Sequence, residues 1–205
     1  MWTLANQITM ARTTIVLLIP FLIYSDSKLL RIIAAALAIV IVSMDWWDGF
    51  LARRYKQESD FGSIMDIAGD RITENVFWII FAHQHLIPLW IPIVVMARGF
   101  ITDLFRTYAF KLSYTPFGSK TFQQSPLARF LTGHYFTRAL IGVMKAITFT
   151  WLTVFSALFY QETSIPLWAI QFHKIGIMLA IATTAITIVR GIPVIIEGYW
   201  LVRDN

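Results

Sequence analysis

The sequence predicts an all-α integral membrane protein, built as a bundle of six transmembrane helices with an N-terminal interfacial amphipathic segment. Of the 205 residues, 57% are hydrophobic and 14% are charged, and the mean hydropathy is +0.64, whereas soluble domains are about a quarter charged. The apolar residues form long stretches separated by short polar loops, and a spanning helix needs about 20 of them. The chain therefore accommodates about six spans in a single domain over residues 1–205, without a separate soluble domain.

Each span follows from an apolar stretch and from the polar residues that bound it. The first stretch, about 14–24, is too short to cross a bilayer unless the turns from Ala5 onward join it, with the extreme N-terminus along the interface. The other spans are predicted over about 30–54, 61–83, 88–111, 127–160 and 175–202. A short polar loop, 55–60, joins the second span to the third. No internal repeat is evident, which argues against a duplicated transporter.

The loop cations predict the orientation of a multi-pass protein in a membrane such as the bacterial inner membrane. One side carries Arg12, Arg53, Arg54, Lys56, Lys111, Lys120, Arg129 and Arg203, and the other carries Lys28, Arg31 and Lys174. The positive-inside rule then places both termini and the 55–60 loop in the cytoplasm. The net charge of +5 is scattered between apolar stretches, so we expect anionic lipid or phosphate as partners, and no nucleic acid. The absence of cysteine excludes thiolate metal sites and cysteine nucleophiles.

Four aspartates lie within the predicted second and third spans: Asp45, Asp48, Asp66 and Asp70. An ionisable residue inside a membrane helix costs at least about 2.5 to 3.5 kcal/mol, so four acids need a shared purpose. Residues three or four apart share a helical face, which pairs Asp45 with Asp48 and Asp66 with Asp70. If the two spans form a hairpin, the pairs converge, and carboxylates that close require cations. Oxygen ligands without His or Cys favour Mg²⁺ or Mn²⁺, and four carboxylates can hold two ions.

Small residues and an arginine accompany these acids. Gly49 and Ala52 lie near the first acid pair and Gly62 precedes Asp66 by four, so that the helices can approach closely and expose backbone to a ligand. Arg53, at the cytoplasmic end of the same face, has the planar fork that suits a phosphate. Metal, arginine and backbone together predict a diphosphate site.

Other interpretations of the acids stay open. Individual acids could simply pair with Arg53, Arg71 or Arg98. The acids and arginines could also line a small cation channel or transporter, which would distribute acids along a pore instead of gathering them near the cytoplasmic ends of two adjacent helices. Prenyl transfer from a diphosphate also uses aspartates and Mg²⁺, but it needs an Asp-rich motif such as Asp-Asp-x-x-Asp, which this sequence lacks.

The acids, small residues and arginine form one spaced pattern. It is Asp45-x2-Asp48-Gly49-x2-Ala52-Arg53-x8-Gly62-x3-Asp66-x3-Asp70. This pattern resembles the signature of the CDP-alcohol phosphatidyltransferases, with every fixed position filled, and the six-span plan is similar over essentially the whole chain. The resemblance implies transfer of a phosphatidyl group from CDP-diacylglycerol to an alcohol, with release of CMP, in phospholipid biosynthesis.

The resemblance also implies roles for single residues. The four aspartates would be ligands of two divalent ions, and Asp70 would double as the general base for the acceptor hydroxyl. The residues expected to contact the CDP-lipid are Gly49, Ala52, Arg53, Ser59, Gly62, Asn6 and Thr9. The last two belong to Asn6-x2-Thr9-x2-Arg12, which is similar to the amphipathic opening of the bacterial phosphatidylglycerophosphate synthases, a branch of the family.

Cations on the predicted fourth and fifth spans indicate an acceptor that carries a phosphate. Arg138 and Lys145 are seven apart and share a face, with His134 one turn above. Such a column inside a membrane suits a phosphorylated alcohol. The predicted acceptor-binding set is Arg98, Lys120, His134, Arg138 and Lys145.

We therefore expect glycerol 3-phosphate as the acceptor, with inositol phosphate, inositol, serine or phosphatidylglycerol as alternatives. The segment Met96–Arg106 and the loop Gly118–Thr121 are also similar to those of phosphatidylglycerophosphate synthases. In a purely structural alternative, Arg106, Arg129 and Lys145 snorkel or pair with Asp103 and Glu74. The resemblance further implies membrane lipid as a partner and allows a homodimer.

Overall fold

The computed structural model describes residues 4–55, 60–114, 121–160, 162 and 165–203, and for residues 4, 5, 43, 45–55, 60, 61 and 63 it describes the backbone alone. Within these ranges the chain forms seven α-helices and no strand. They are α1 (Leu4–Ile23), α2 (Lys28–Tyr55), α3 (Asp60–His83), α4 (Trp90–Lys111), α5 (Pro126–Gly133), α6 (Tyr135–Phe159) and α7 (Leu167–Arg203). The predicted all-α class is confirmed.

The helix boundaries follow the apolar stretches of the sequence closely. The residues before the first apolar stretch do join it, since α1 begins at Leu4 and continues for 20 residues. The helices α2, α3 and α4 begin and end within two residues of the predicted spans. The last helix is longer than predicted, because α7 begins at Leu167 and runs for 37 residues with Pro193 inside it.

The predicted fifth span, 127–160, differs from the structure because it is divided into two helices at His134. The backbone of His134 is extended, with φ −66° and ψ 137°. Both sides of the break are capped by short-range hydrogen bonds: on the α5 side the His134 N–H donates to the Phe130 carbonyl at 3.3 Å, and on the α6 side the Phe136 N–H donates to His134 Nδ1 at 3.2 Å. These bonds satisfy backbone groups that a helix terminus leaves without partners.

Within the described residues, three helices are long and apolar enough to cross a bilayer, which indicates a membrane protein. The candidate segments are Asn6–Ile23, Tyr135–Phe159 and Leu167–Arg203, which contain 18-residue windows with mean hydropathies of 1.4, 1.6 and 2.0. Large apolar side chains remain exposed along the helices, among them Phe21 and Leu167 at 77% and 83%. Apolar exposure of this extent is what a lipid environment requires of a helical protein.

The chain has two compact units, of which the first comprises Met1–Leu89 and Ala146–Ile177. In this unit α1 packs against α2 and α3. Its interior contains a ring cluster in which Phe149 lies 5.1 Å from the centroids of Phe77 and Trp78 and 6.0 Å from that of Phe81. Such aromatic contacts fix the packing of α3 and α6 within the unit.

The second unit comprises Trp90–Lys145 and Met178–Asn205. Ala109, Phe122 and Val194 form its buried core. The helices α4 and α7 approach so closely that a Cβ on Gly198 would lie 2.5 Å from the ring of Phe105. The prediction that residues 1–205 form a single domain stays a prediction.

Candidate active site

Two of the four predicted metal ligands, Asp66 and Asp70, lie one turn apart on α3. Their side chains are 52% and 50% exposed. One nitrogen, Nη2 of Arg12, lies 3.4 Å from Asp66 Oδ1 and 2.8 Å from Asp70 Oδ1. The two carboxylates therefore lie on one face of α3, as a spacing of four residues predicts. The predicted convergence of this pair with the acids of α2 stays a prediction. Gly62 lies one turn before Asp66 and is partly buried.

The N-terminal helix supplies the cation that meets these acids. Asn6, Thr9 and Arg12 occur at intervals of three and are 4%, 5% and 1% exposed, so they form one buried face of α1. A guanidinium this deeply buried is stable only when it is paired and hydrogen-bonded. The sequence pattern identified this face but not its partner on α3.

A glycine of α3 allows α1 to come this close. A Cβ on Gly69 would lie 3.0 Å from Thr13 Oγ1, 3.2 Å from Thr9 Cγ2 and 3.5 Å from Arg12 Nη2. The first two distances are shorter than ordinary van der Waals contact, so a side chain at this position would push α1 away from the acids. Gly69 is a residue that sequence reasoning missed, although its position directly before Asp70 was a signal.

The α2 part of the predicted site lies outside the described side chains. Asp45, Asp48, Gly49, Ala52 and Arg53 belong to α2, whose backbone is helical through Tyr55, and Ser59 lies outside the described residues. Among the described side chains, no group of three or more His, Cys, Asp or Glu could hold a metal ion. The described carboxylates fit a hard cation in donor chemistry, since they are half-exposed oxygen donors that already contact a positive group.

In the second unit, three arginines act on Arg190 of α7 through their charges; we call these four residues the arginine cluster. Arg190 of α7 is subject to the charges of Arg98 and Arg106 from α4 and of Arg138 from α6. Like charges in a membrane helix repel one another and are costly unless an anion offsets them. Arg98 and Arg138 belong to the predicted acceptor set, whereas sequence reasoning missed Arg190 and left Arg106 as a structural alternative.

Arg190 is held in place by the backbone and has unused donor capacity. Its Nη2 donates to the Thr132 carbonyl at 3.0 Å. Its Nε is buried and has no hydrogen-bond acceptor among the residues that the structure describes. Arg98 lies across Gly191 of α7, where a Cβ would come within 2.6 Å of Arg98 Nε. The glycine thus leaves space for the Arg98 side chain beside Arg190.

The other predicted acceptor residues are placed differently. His134 is exposed at the junction of α5 and α6, where its ring caps α6 and lies 5.2 Å from the ring of Phe130. Lys145 is partly buried in α6. Lys120 lies outside the described residues.

A carboxylate of α7 holds the segment that leads into α5; we call this contact the Glu197 clamp. Glu197 Oε2 accepts from the backbone N–H of Gln124 at 2.9 Å, and Oε1 accepts from that of Ser125 at 3.1 Å. Ser125 in turn caps α5 by accepting from the Ala128 N–H at 3.2 Å. The clamp fixes the start of α5, the helix whose Thr132 carbonyl accepts from Arg190.

Comparison with known proteins identifies the family. The CDP-alcohol phosphatidyltransferase family matches residues 2–192, and the chain belongs to this family. The match covers all seven helices except the end of α7.

Several curated relatives share one name, CDP-diacylglycerol--glycerol-3-phosphate 3-phosphatidyltransferase. The relative from Bacillus subtilis (strain 168) is 31% identical over 112 residues, covering 49% of this chain and 58% of the relative. The relatives from Yersinia enterocolitica and Sodalis glossinidius are 32% and 30% identical over 98 and 99 residues, each covering 45% of this chain and 54% of the relative. The chain thus spans about half the length of the curated relatives it matches.

Proposed function

We propose that this protein transfers a phosphatidyl group from CDP-diacylglycerol to glycerol 3-phosphate and releases CMP. The observation that carries the proposal is the convergence of Asp66 and Asp70, two acids of the family signature, on the buried Arg12. The name of the relatives supports this donor and acceptor.

The acids of α2 and α3 serve the CDP-lipid in this proposal. Asp45, Asp48, Asp66 and Asp70 would hold two divalent cations, Mg²⁺ or Mn²⁺, and these would offset the charge that develops on the diphosphate. Arg53, Gly49 and the other CDP-lipid residues of the signature contact the donor. Asp66 and Asp70 suit this role because their side chains are about half exposed and both contact the buried Arg12.

The transfer itself is a displacement at phosphorus. The acceptor hydroxyl oxygen forms a bond to the β-phosphorus of the donor, the bond from that phosphorus to the CMP oxygen breaks, and CMP leaves with the bonding electrons. Asp70 takes the hydroxyl proton on its carboxylate as the general base. Its contact with Arg12 at 2.8 Å already holds the Asp70 carboxylate in one orientation. Less orientational freedom is therefore lost when the acceptor binds.

The arginine cluster serves the acceptor. A phosphate monoester brings about two negative charges, which offset the repulsion of Arg190 by Arg98, Arg106 and Arg138. The buried Nε of Arg190 offers a donor in this cluster. Serine and inositol carry no phosphate, so this cluster favours glycerol 3-phosphate or inositol phosphate over them.

We further propose six membrane spans, formed by α1, α2, α3, α4, α6 and α7, with α5 at the interface. The distribution of loop Lys and Arg supports a cytoplasmic active site.

The direct test measures CMP release by the purified chain in detergent, with CDP-diacylglycerol and Mg²⁺. Glycerol 3-phosphate, inositol phosphate, myo-inositol, serine and phosphatidylglycerol are offered in parallel. We expect release with glycerol 3-phosphate alone and complete inhibition by EDTA. Asp70→Asn should lose about 10²- to 10⁴-fold in turnover, whereas Asp26→Asn, which changes an exposed loop carboxylate, should remain fully active.

Each other result has a definite meaning. Release with a different acceptor would keep the phosphatidyl transfer and reassign the arginine cluster. Activity without a CDP-lipid, or ion flux in reconstituted vesicles, would support the channel or transporter alternative. Full activity of Asp70→Asn would remove the general-base role.

A further inference from the structure

Arg12 has an unusual position for a charged residue. It is 1% exposed, in the middle of the apolar helix α1, yet one of its nitrogens contacts the half-exposed carboxylates of Asp66 and Asp70. The pair is therefore asymmetric, with the arginine on the buried side of the acids and solvent on the other. A cation that approaches from solvent meets the acids without meeting the arginine first.

The two carboxylates need such a partner to adopt a common orientation. Two carboxylates that lie one turn apart repel each other, so each can rotate away from the other. The contacts of Nη2 with Oδ1 of both acids, at 2.8 and 3.4 Å, hold them together. Carboxylates that ligate metals are commonly oriented by hydrogen bonds from a second layer of residues.

We propose that Arg12 is a positioning residue, which holds the carboxylates of Asp66 and Asp70 in the orientation that binds divalent cations. This inference rests on the metal site of the proposed function. The close approach of α1 and α3 at Gly69 supports it, because the space beside this glycine brings the arginine within reach of the acids. The opposite role, in which Arg12 competes with the metal for the acids, would give the opposite change in affinity.

The test measures metal affinity instead of activity. Mn²⁺ is titrated into the full chain in detergent, without substrates, and free Mn²⁺ is followed by electron paramagnetic resonance. We expect Arg12→Gln to weaken Mn²⁺ binding about 10- to 100-fold, the usual effect of removing a partner of a metal ligand. Arg12→Lys should weaken binding less, because its side chain keeps the charge but is one bond shorter.

Arg31→Gln is the matched control. Arg31 is also a buried arginine of the first unit, at 4% exposure, but it donates to the backbone carbonyls of Ser25 and Asp26 at 3.0 and 3.1 Å. Its replacement lowers stability without touching the acids, so the Mn²⁺ affinity of this variant should equal that of the wild type. If Arg12→Gln fails to fold, Arg12→Lys against Arg31→Gln carries the comparison.

The outcomes separate this inference from the proposed function. Unchanged or tighter Mn²⁺ binding in both Arg12 variants overturns the positioning role, even if the wild type is an active transferase. An equal loss of affinity in Arg31→Gln also overturns it, because the effect would then follow from lost stability. A wild type that binds no Mn²⁺ overturns both this inference and the proposed metal site, whereas CMP release tests the transfer separately.

Discussion

At the scale of single residues, Arg190 contrasts most with its surroundings. It belongs to α7, which is apolar enough to cross a membrane and contains an 18-residue window with a mean hydropathy of 2.0. A charge at the centre of a membrane helix costs about 2.5 to 3.5 kcal/mol. One hydrogen bond to the Thr132 carbonyl, at 3.0 Å, offsets only part of this cost. A bound phosphate would give a physical reason for the presence of three further arginines whose charges act on Arg190.

Arg190→Gln should therefore weaken binding of the acceptor. A hydrogen bond to a charged group contributes about 1.5 to 3 kcal/mol, so we expect the KM for glycerol 3-phosphate to rise about 10- to 150-fold. The KM for CDP-diacylglycerol should stay close to its wild-type value. Steady-state kinetics with each substrate varied in turn makes the measurement.

Arg203→Gln is the control for this variant. Arg203 also belongs to α7, but its guanidinium lies 4.9 Å from the ring centroid of Trp200 and is not among the charges acting on Arg190. An unchanged KM for glycerol 3-phosphate in Arg190→Gln would return the arginine to a structural role.

The sequence predicts single residues well where the chemistry follows helical spacing. The convergence of Asp66 and Asp70 follows from their interval of four. Arg12 is different, because its partner depends on which helices are neighbours, and spacing within one helix carries no such information. Arg190 is a single cation in an apolar stretch and forms no period, so its place beside Arg98 emerges only from the packed structure.

At the scale of helices, the contact of α1 with α3 depends on Gly69. Gly69→Ala places a Cβ 3.0 and 3.2 Å from Thr13 Oγ1 and Thr9 Cγ2. Overpacking of this kind typically costs about 1 to 3 kcal/mol. We expect a lower Tm in detergent, together with weaker Mn²⁺ binding, since the separation of α1 from α3 also moves Arg12.

Gly142→Ala offers the matched comparison. Apart from the backbone of its own helix, the described residues place no heavy atom within 4 Å of a Cβ at Gly142, which is in the helix α6. Alanine is the better helix former by about 1 kcal/mol. This variant should be as stable as the wild type or more so. If both alanine variants behave alike, the close approach at Gly69 is not what limits the α1–α3 contact.

The Glu197 clamp governs the start of α5. Glu197→Gln keeps the size of the side chain but removes its charge and one of its two acceptor oxygens. The hydrogen bonds that the N–H groups of Gln124 and Ser125 donate to this side chain therefore become weaker. We expect hydrogen exchange at the amides of residues 123–125 to accelerate at least about 10-fold, which corresponds to 1.4 kcal/mol. Mass spectrometry of exchanged peptides makes the measurement.

Glu162→Gln tests whether any lost carboxylate has this effect. Glu162 forms an exposed ion pair with Lys28 at 3.3 Å, and exposed pairs contribute little to stability. Exchange at the amides of residues 123–125 should be unaffected in this variant. Equal exchange in Glu197→Gln and the wild type would contradict the clamp.

Helix limits are predictable from hydropathy, but the break at His134 is not. Residues 127–160 are apolar enough to read as one span, and the break depends on hydrogen bonds that involve His134, Phe136 and Thr137. Such capping bonds form only once the backbone has turned, and they are an alternative to the hydrogen bonds of a continuous helix.

At the scale of the whole molecule, the proposed topology can be mapped with cysteine. The chain contains none, so single introduced cysteines report their own position. Ser27 and Gln124 are both exposed, and the proposal places them on opposite sides of the membrane. In intact cells an impermeant maleimide should label Ser27→Cys but not Gln124→Cys, whereas detergent should expose both.

Labelling of Gln124→Cys alone in intact cells would invert the proposed orientation, and labelling of both would contradict the number of spans between them.

Composition alone predicts the all-α membrane class, because few other folds accommodate so many apolar residues with so few charges. It does not predict the two compact units, since their boundaries at Leu89 and Ile177 fall in apolar sequence.

The pairing of Arg12 with α3 also has a consequence for biosynthesis. Asp70 follows Arg12 by 58 residues, so α1, with its guanidinium, is synthesised before either acid. Alone in lipid, such a helix carries a penalty of about 2.5 to 3.5 kcal/mol, which the nascent chain cannot offset until α3 has been synthesised. We therefore expect α1 to enter the bilayer fully only together with α3, so that the first three helices behave as one unit of membrane insertion.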